Sequence, residues 1–162
     1  MSDDGTKRMA IVCWSNDLDR VWPTMILATT GAASGMEVDV FYTFWGLRVL
    51  QRNEKRITGT NWMQKAESLV DRGGTDHLKL GKIHFGGMGT RMIKQLAKDY
   101  KVADPGELME MAMDLGVKMY PCQMTMDLYG LTKDDFIDGL EPSMGAASFL
   151  DMAADADIQL FI

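Results

Sequence analysis

Short apolar runs alternate with helical segments along nearly the whole chain, and that alternation limits the fold more than any other feature. Met9 to Trp14 is a continuous apolar run, as expected of a strand buried on both faces. Ser15-Asn16-Asp17 supplies turn and cap chemistry, and a helix is predicted from about Leu18 to Ser34, with Pro23 in its first turns and Gly35 to stop it. Val38 to Phe44 reads as a second strand, and Trp45 to Leu50 turns back as a short helix. Regularity then fades over Gln51 to about Leu80, where one helix near Trp62 to Val70 is expected, and another covers Thr90 to Tyr100. Asp104, Pro105 and Glu107 form a helix start with a capping box, and Leu108, Met111, Ala112 and Leu115 fall at the spacing of one buried face. Val117 to Tyr120 is a third strand, Cys122 begins a helix that Gly130 closes, and Phe136 to Leu140 is a fourth strand. A helix from Ser143 to about Ala154 and a last strand over Ile158 to Ile162 follow. This order predicts a single three-layer α/β/α domain over residues 1–162 with a mainly parallel sheet of about five strands. A basic, glycine-containing insertion occupies about 51–90. Ligands of such sheets lie beyond the carboxyl ends of the strands, so the loops after Trp14, Phe44, Tyr120 and Leu140 are expected to share one edge.

Composition narrows the function class. No apolar run reaches 18 residues, which argues against a membrane span, and Met1 to Gly5 lack the basic-then-apolar order of a signal peptide. Two cysteines are too few for a disulfide framework or a closed four-thiolate metal site, so a reducing, cytoplasmic setting is expected. The net charge of -6 is unevenly spread: 12 of the 17 Lys and Arg residues, but only 5 of the 23 acids, lie between Arg48 and Lys101. That stretch is either a solvated insertion or a positive rim for a small anion or acidic partner, with Arg48, Arg52, Lys55 and Arg56 as its steering charges. Nucleic acid is disfavoured, because the chain as a whole is acidic and no recognition motif accompanies the basic stretch.

Cys122 is the strongest chemical candidate because of its position. A thiol at a helix start meets the positive end of the macrodipole and unpaired amides, which favour the thiolate. Its alternative is a small buried hydrophobe. Cys13, inside an apolar strand, reads as packing. There is no Cys-x-x-Cys, and Gln123-Met124-Thr125-Met126-Asp127-Leu128 contains no arginine to close an anion-binding loop. His77 and His84 lie in the irregular middle and read as surface or packing residues. Phe85-Gly86-Gly87-Met88-Gly89-Thr90 lacks the endings of a dinucleotide or phosphate loop, so permissive backbone angles are its default explanation. No metal or cofactor is expected. Most of the 15 methionines read as core, with an adaptable docking or subunit surface as the next explanation.

Several segments together resemble the DsrE/DsrF-like sulfur-relay family, in particular the branch with a long central insertion. They are Ser15-Asn16-Asp17-Leu18-Asp19, Thr43-Phe44-Trp45-Gly46-Leu47, Gly87-Met88-Gly89-Thr90 and Cys122-Gln123-Met124-Thr125-Met126-Asp127, with the spacing of Leu131-Thr132-Lys133 to Asp138-Gly139. The resemblance implies a DsrEFH-like parallel α/β/α domain, a homo-oligomer (a trimer or a multiple of one), and sulfane sulfur or thiosulfate bound covalently on Cys122. It also implies exchange with a small TusA-like sulfur carrier, in sulfur oxidation or sulfur relay. Asn16, Trp45, Gly46, Gln123 and Met124, from loops expected at the same sheet edge, are the candidate substrate-binding residues. Two rivals stay open: a regulatory module in which Cys122 senses oxidation without transferring sulfur, and a flavodoxin-like nucleotide or flavin binder using the glycine turn.

Overall fold

Four parallel strands in the order β3-β2-β1-β4 form the sheet. They are β1 (Arg8–Cys13), β2 (Glu37–Tyr42), β3 (Lys118–Pro121) and β4 (Ile158–Phe161). The structure is a computed structural model and describes residues 5–54, 57–82 and 84–162. Expectations that fall on Met1 to Asp4, on Lys55 and on Arg56 lie outside the described residues.

β1 and β2 are largely buried on both faces because helices cover both, whereas β4 leaves Gln159 and Phe161 exposed. Ile11, Cys13, Val40, Tyr42 and Met119 pack into the larger core, with Leu18, Val21 and Met25 of α1 (Leu18–Ala33) and with Met109 and Ala112 of α4 (Pro105–Asp114). Ala10, Phe41, Tyr120 and Cys122 form the second core with Phe149 and Ala153 of α6 (Ala146–Ala154), where the Phe41 and Phe149 rings stack at 4.7 Å. Along the chain, α2 (Trp62–Val70) and α3 (Met88–Asp99) fall between α1 and α4, and the short α5 (Gln123–Tyr129) falls between α4 and α6.

Local chemistry explains the boundaries. Asp104 accepts from the Glu107 amide while the Glu107 carboxylate accepts from the Asp104 amide, with Pro105 in the first turn. Asn61 and Gln64 make the same reciprocal cap at α2. Gly130, at φ 64°, ends α5 in the left-handed region that glycine adopts without strain.

Three expectations need correction. Phe136 to Leu140 forms no strand. Phe136 is buried and makes a single antiparallel bridge to Gln51, and Ile137 N–H donates to Leu50 O, so the segment is a loop pinned by one aromatic plug. The buried face of α4 is also rotated: Met109 and Ala112 enter the core, whereas Met111 and Leu115 are exposed. Finally, Arg48 is no surface charge. It is 1% exposed, because the 3₁₀ helix over Phe44–Leu50 tucks beneath α2.

Candidate functional site

Cys122 sits one residue past β3, where its amide donates to Tyr42 O at the carboxyl end of β2 (3.0 Å) and its carbonyl accepts from Met126 N–H in α5 (3.0 Å). The parallel register sets this position, since Cys13, Tyr42 and Pro121 lie level across three strands. Thr43, just past β2, donates its amide to Cys13 O (3.1 Å). The chain then enters the 3₁₀ helix through Phe44 at φ 51°, and that residue's amide donates to Thr125 Oγ1 (3.1 Å). Thr125 Oγ1 lies 3.3 Å from Thr43 Oγ1. Two hydroxyls from different elements therefore meet each other just past the ends of β2 and β3, and both are among the hydrogen-bonding groups that act on the Cys122 thiol.

The thiol is only 5% exposed. Burial pushes its pKa up, but hydrogen bonds from the Thr125 and Thr43 side chains and from the Thr125 and Met124 backbone outweigh that, so Cys122 lies below the ordinary cysteine value. Donors aimed at sulfur are what stabilise a thiolate away from bulk water, and they serve an anionic adduct equally. Cys13 has the opposite environment. It is wholly buried, with Sγ 3.5 Å from Ser15 O, and burial pushes it up to about 12 against weaker help from Thr24 and Ser15.

The remaining candidates divide into two groups. Asn16 and Trp45 line one cleft of about 430 Å³ with Trp14, Ser15, Asp17 and Asp71. Asn16 Nδ2 donates to Asp71 Oδ2 (2.9 Å), and Trp45 stacks on Tyr129 of α5 at 5.8 Å. Gly46 is the hinge of this crossing. A Cβ there would stand 2.1 Å from Cys13 O, so only glycine lets the 3₁₀ helix pass over the end of β1. Gln123 and Met124 belong to the outer side of α5. The Gln123 amide is held between Ser143 Oγ (2.6 Å) and Asp127 Oδ1 (2.8 Å), and Met124 is 76% exposed. The structure thus brings Asn16 and Trp45 together, and places Gln123 and Met124 at the rim beside Cys122.

Sequence reasoning missed the two threonines. Thr125 lies three residues after Cys122, the spacing of a cap partner, and that signal was available. Thr43 had none, because its place depends on β2 and β3 being neighbours. Arg48 was missed as well. Its guanidinium pairs with Glu67 and Asp71, donates to Gln51 Oε1 (3.2 Å) and lies 4.8 Å over the Tyr129 ring. It therefore ties the insertion helix α2 to the floor of the cleft. The glycine turn before α3 holds Gly86 and Gly87 at φ 64° and 99° with open space where a Cβ would be, which fits a need for permissive angles. Among the described residues, no group of three or more His, Cys, Asp or Glu side chains gathers in a metal-binding arrangement, and no helix is long and apolar enough to cross a membrane.

Comparison with known proteins covers the whole of this architecture. The family described as DsrE/DsrF/DrsH-like matches residues 5–161. The sulfur carrier protein DsrE2 of Allochromatium vinosum is 40% identical over 159 residues, covering 96% of this chain and 98% of that protein. YrkE of Bacillus subtilis is 37% identical over 157 residues, covering 97% and 98%. Among solved structures, the ychN protein of E. coli superposes with a TM-score of 0.58 at 12% identity, covering 97% of this chain and 99% of that one. A protein of unknown function from Methanobacterium thermoautotrophicum superposes with a TM-score of 0.54, also at 12% identity, with coverage of 96% and 99%.

Proposed function

Because this chain belongs to the DsrE/DsrF/DrsH-like family, we propose that it is a cytoplasmic sulfur carrier and sulfurtransferase that loads sulfur on Cys122. The observation that carries this reading is a thiol shielded from water yet met by hydrogen-bond donors from two elements, its pKa lowered in spite of burial. A relative that is 40% identical across nearly the whole chain and named a sulfur carrier supports the cargo.

The chemistry is nucleophilic exchange at sulfur. With a persulfide donor, the Cys122 thiolate attacks the outer sulfur, the S–S bond of the donor breaks, and the donor leaves as a thiolate. The product is a Cys122 persulfide. With tetrathionate, attack on an inner sulfur expels thiosulfate and leaves the S-SO₃⁻ group on the Cys122 sulfur. In each case the Thr43 and Thr125 hydroxyls are positioned to receive the negative charge. A TusA-like carrier then attacks the bound sulfur with its own thiolate, and Cys122 departs as thiolate. Asn16, Trp45 and Gly46 shape the adjoining cleft, and Gln123 and Met124 form the rim that the carrier meets. A homo-oligomer, a trimer or a multiple of one, completes this reading. It is supported by α2, which turns Trp62, Met63, Leu69 and Val70 outward.

Intact mass after treatment with polysulfide or tetrathionate and removal of excess reagent tests the proposal. One adduct per chain, removed by reductant and absent from Cys122→Ser, is expected. Stoichiometric loading of Cys122→Ser would refute it, and failure of both proteins to load with any donor would favour an oxidation-sensing module instead.

A further inference from the structure

Arg48 is a buried guanidinium whose pairing is unbalanced. Its Nη1 donates to Gln51 Oε1 (3.2 Å), and its flat face lies 4.8 Å over the Tyr129 ring. The remaining edge, Nε with Nη2, is met by two different carboxylates, one turn apart on α2 and its cap. Glu67 Oε2 pairs with Nη2, and Asp71 Oδ2 stands 3.6 Å from Nε. That distance is too long for a hydrogen bond, and Nε is buried without a hydrogen-bond partner among the described residues. The hydroxyl of Tyr129, a residue only 7% exposed, is buried without one as well. Two carboxylates facing one guanidinium leave a surplus negative charge, whereas a single carboxylate can satisfy such an edge with its own two oxygens.

We propose that the Nε–Nη2 edge of Arg48 is a masked binding site for a small tetrahedral oxyanion, and that Glu67 and Asp71 hold the places of its oxygens until it arrives. An anion that presents two oxygens from one centre matches the parallel donors of a guanidinium edge, which oxygens from two separate side chains do not. Asp71 Oδ2 also accepts from Asn16 Nδ2 (2.9 Å), so the place it marks lies between two donors. Both carboxylate side chains are 29% exposed and can turn into water, and Gly73-Gly74, with Gly74 at φ 98°, lets the end of α2 yield. Asp71 lines the cleft of about 430 Å³ with Asn16 and Trp45, which gives the anion its way in, and Asp17 at the same cleft is offset by Arg20 at 3.8 Å. Arg48 lies over Tyr129, at the far end of α5 from Cys122, so an anion held there is not the covalent adduct. The reading of Cys122 as the loading site enters only in the choice of first probe, thiosulfate, which tetrathionate loading releases.

Calorimetric titration of the Cys122→Ser protein with thiosulfate, at an ionic strength held constant with chloride, tests the site. Without the Cys122 thiol no adduct forms there, so failure of this site and failure of sulfur loading are read separately. One thiosulfate per chain is expected. Glu67→Gln with Asp71→Asn keeps the side-chain shapes, removes the competing charges and should tighten binding at least about tenfold. Adding Arg48→Lys should abolish that gain, because an ammonium is a point charge with no two-donor edge. With Arg48 unchanged, its Nε–Hε proton resonance should move downfield on saturation, as the buried Nε gains an acceptor. That resonance decides the matter even where the buried lysine does not fold. Sulfate and phosphate are titrated in parallel: thiosulfate bound more tightly assigns the site to sulfur oxyanions, and equal affinities assign it to tetrahedral oxyanions in general, either of which supports the proposal. Affinity that does not rise when the carboxylates are neutralised, binding that survives Arg48→Lys, an Arg48 resonance that stays in place, or heats no different from those of added chloride would each overturn it.

Discussion

Cys13 and Cys122 each stand at the carboxyl end of a parallel strand, one strand apart in the same sheet, and their environments drive the two thiols in opposite directions. Cys13 ends β1, the only strand among those described with both a β2 and a β4 neighbour, and its sulfur lies in the larger core. Cys122 follows β3, and two hydroxyls reach it from separate elements. Both residues are buried. The difference is therefore set by whether the burying atoms include donors pointed at sulfur, and a count of exposure alone would not have separated them.

The widest separation should appear in alkylation of the native protein. A thiol at about 12 and one below its ordinary 9.0 differ in thiolate content by at least roughly a thousandfold near neutral pH. Peptide mapping after brief iodoacetamide treatment should find the label on Cys122, and Cys13 should react only in denaturant. Equal labelling would dissolve the contrast between the sites.

Alkaline unfolding comes next. The Cys13 pKa is raised in the folded state, so its contribution to stability is complete below about pH 9 and is lost as pH climbs towards about 12. Over that window the wild type should lose up to about 1.4 kcal/mol per pH unit relative to Cys13→Ala, measured by urea midpoints at each pH. Parallel curves for the two proteins would show that Cys13 does not govern the loss.

A smaller effect is expected from Thr125→Val, which keeps the shape of the side chain and removes its hydroxyl. The Cys122 alkylation profile should move to higher pH, slowing the neutral-pH rate by about tenfold, and Thr125→Ser should restore most of it. Because Thr125 also holds the Phe44 amide, an unchanged pH profile in a slower protein would assign it to loop geometry only. Thr43→Val should shift the same profile in the same direction by less, since the Thr125 hydroxyl is the stronger influence on the thiol.

Much of the fold could be read along the chain. Asp104, Pro105 and Glu107 announced α4 to the residue, and Trp62 to Val70 coincides with α2. These are local signals, fixed by capping and periodicity. The failures share a different origin. Phe136, Ile137 and Leu140 have the apolar content of a strand, but whether such a run finds a ladder partner depends on residues far away in sequence. Here it finds one bridge, to Gln51. In α4, Met111 and Leu115 satisfy the helical period as well as Met109 does, and docking against α1 decides between the two faces. Arg48 followed the same rule. A guanidinium can be buried when Glu67, Asp71, Gln51 and the Tyr129 ring surround it, and of those only Gln51 is near it in sequence. The site was half visible for this reason: Cys122 at a helix start could be inferred locally, and the Thr43 hydroxyl could not.

The placement of β3 at the border of the sheet has a consequence for how cargo changes hands. On one side β3 is laddered to β2, but on the other it meets, among the described residues, the irregular segment around 141–144, through Glu141 N–H to Met119 O and Met144 N–H to Pro121 O, and Gln123 N–H at the start of α5 donates to Met144 O. If the proposed relay holds, lifting that strap would open the surroundings of Cys122 while β1, β2 and α1 stay closed, so a carrier would need breathing at one margin only. Amide exchange should then be fast at Gln123 and Met144 and slow along Ile11 to Cys13, the border turning over many times for each opening of the centre.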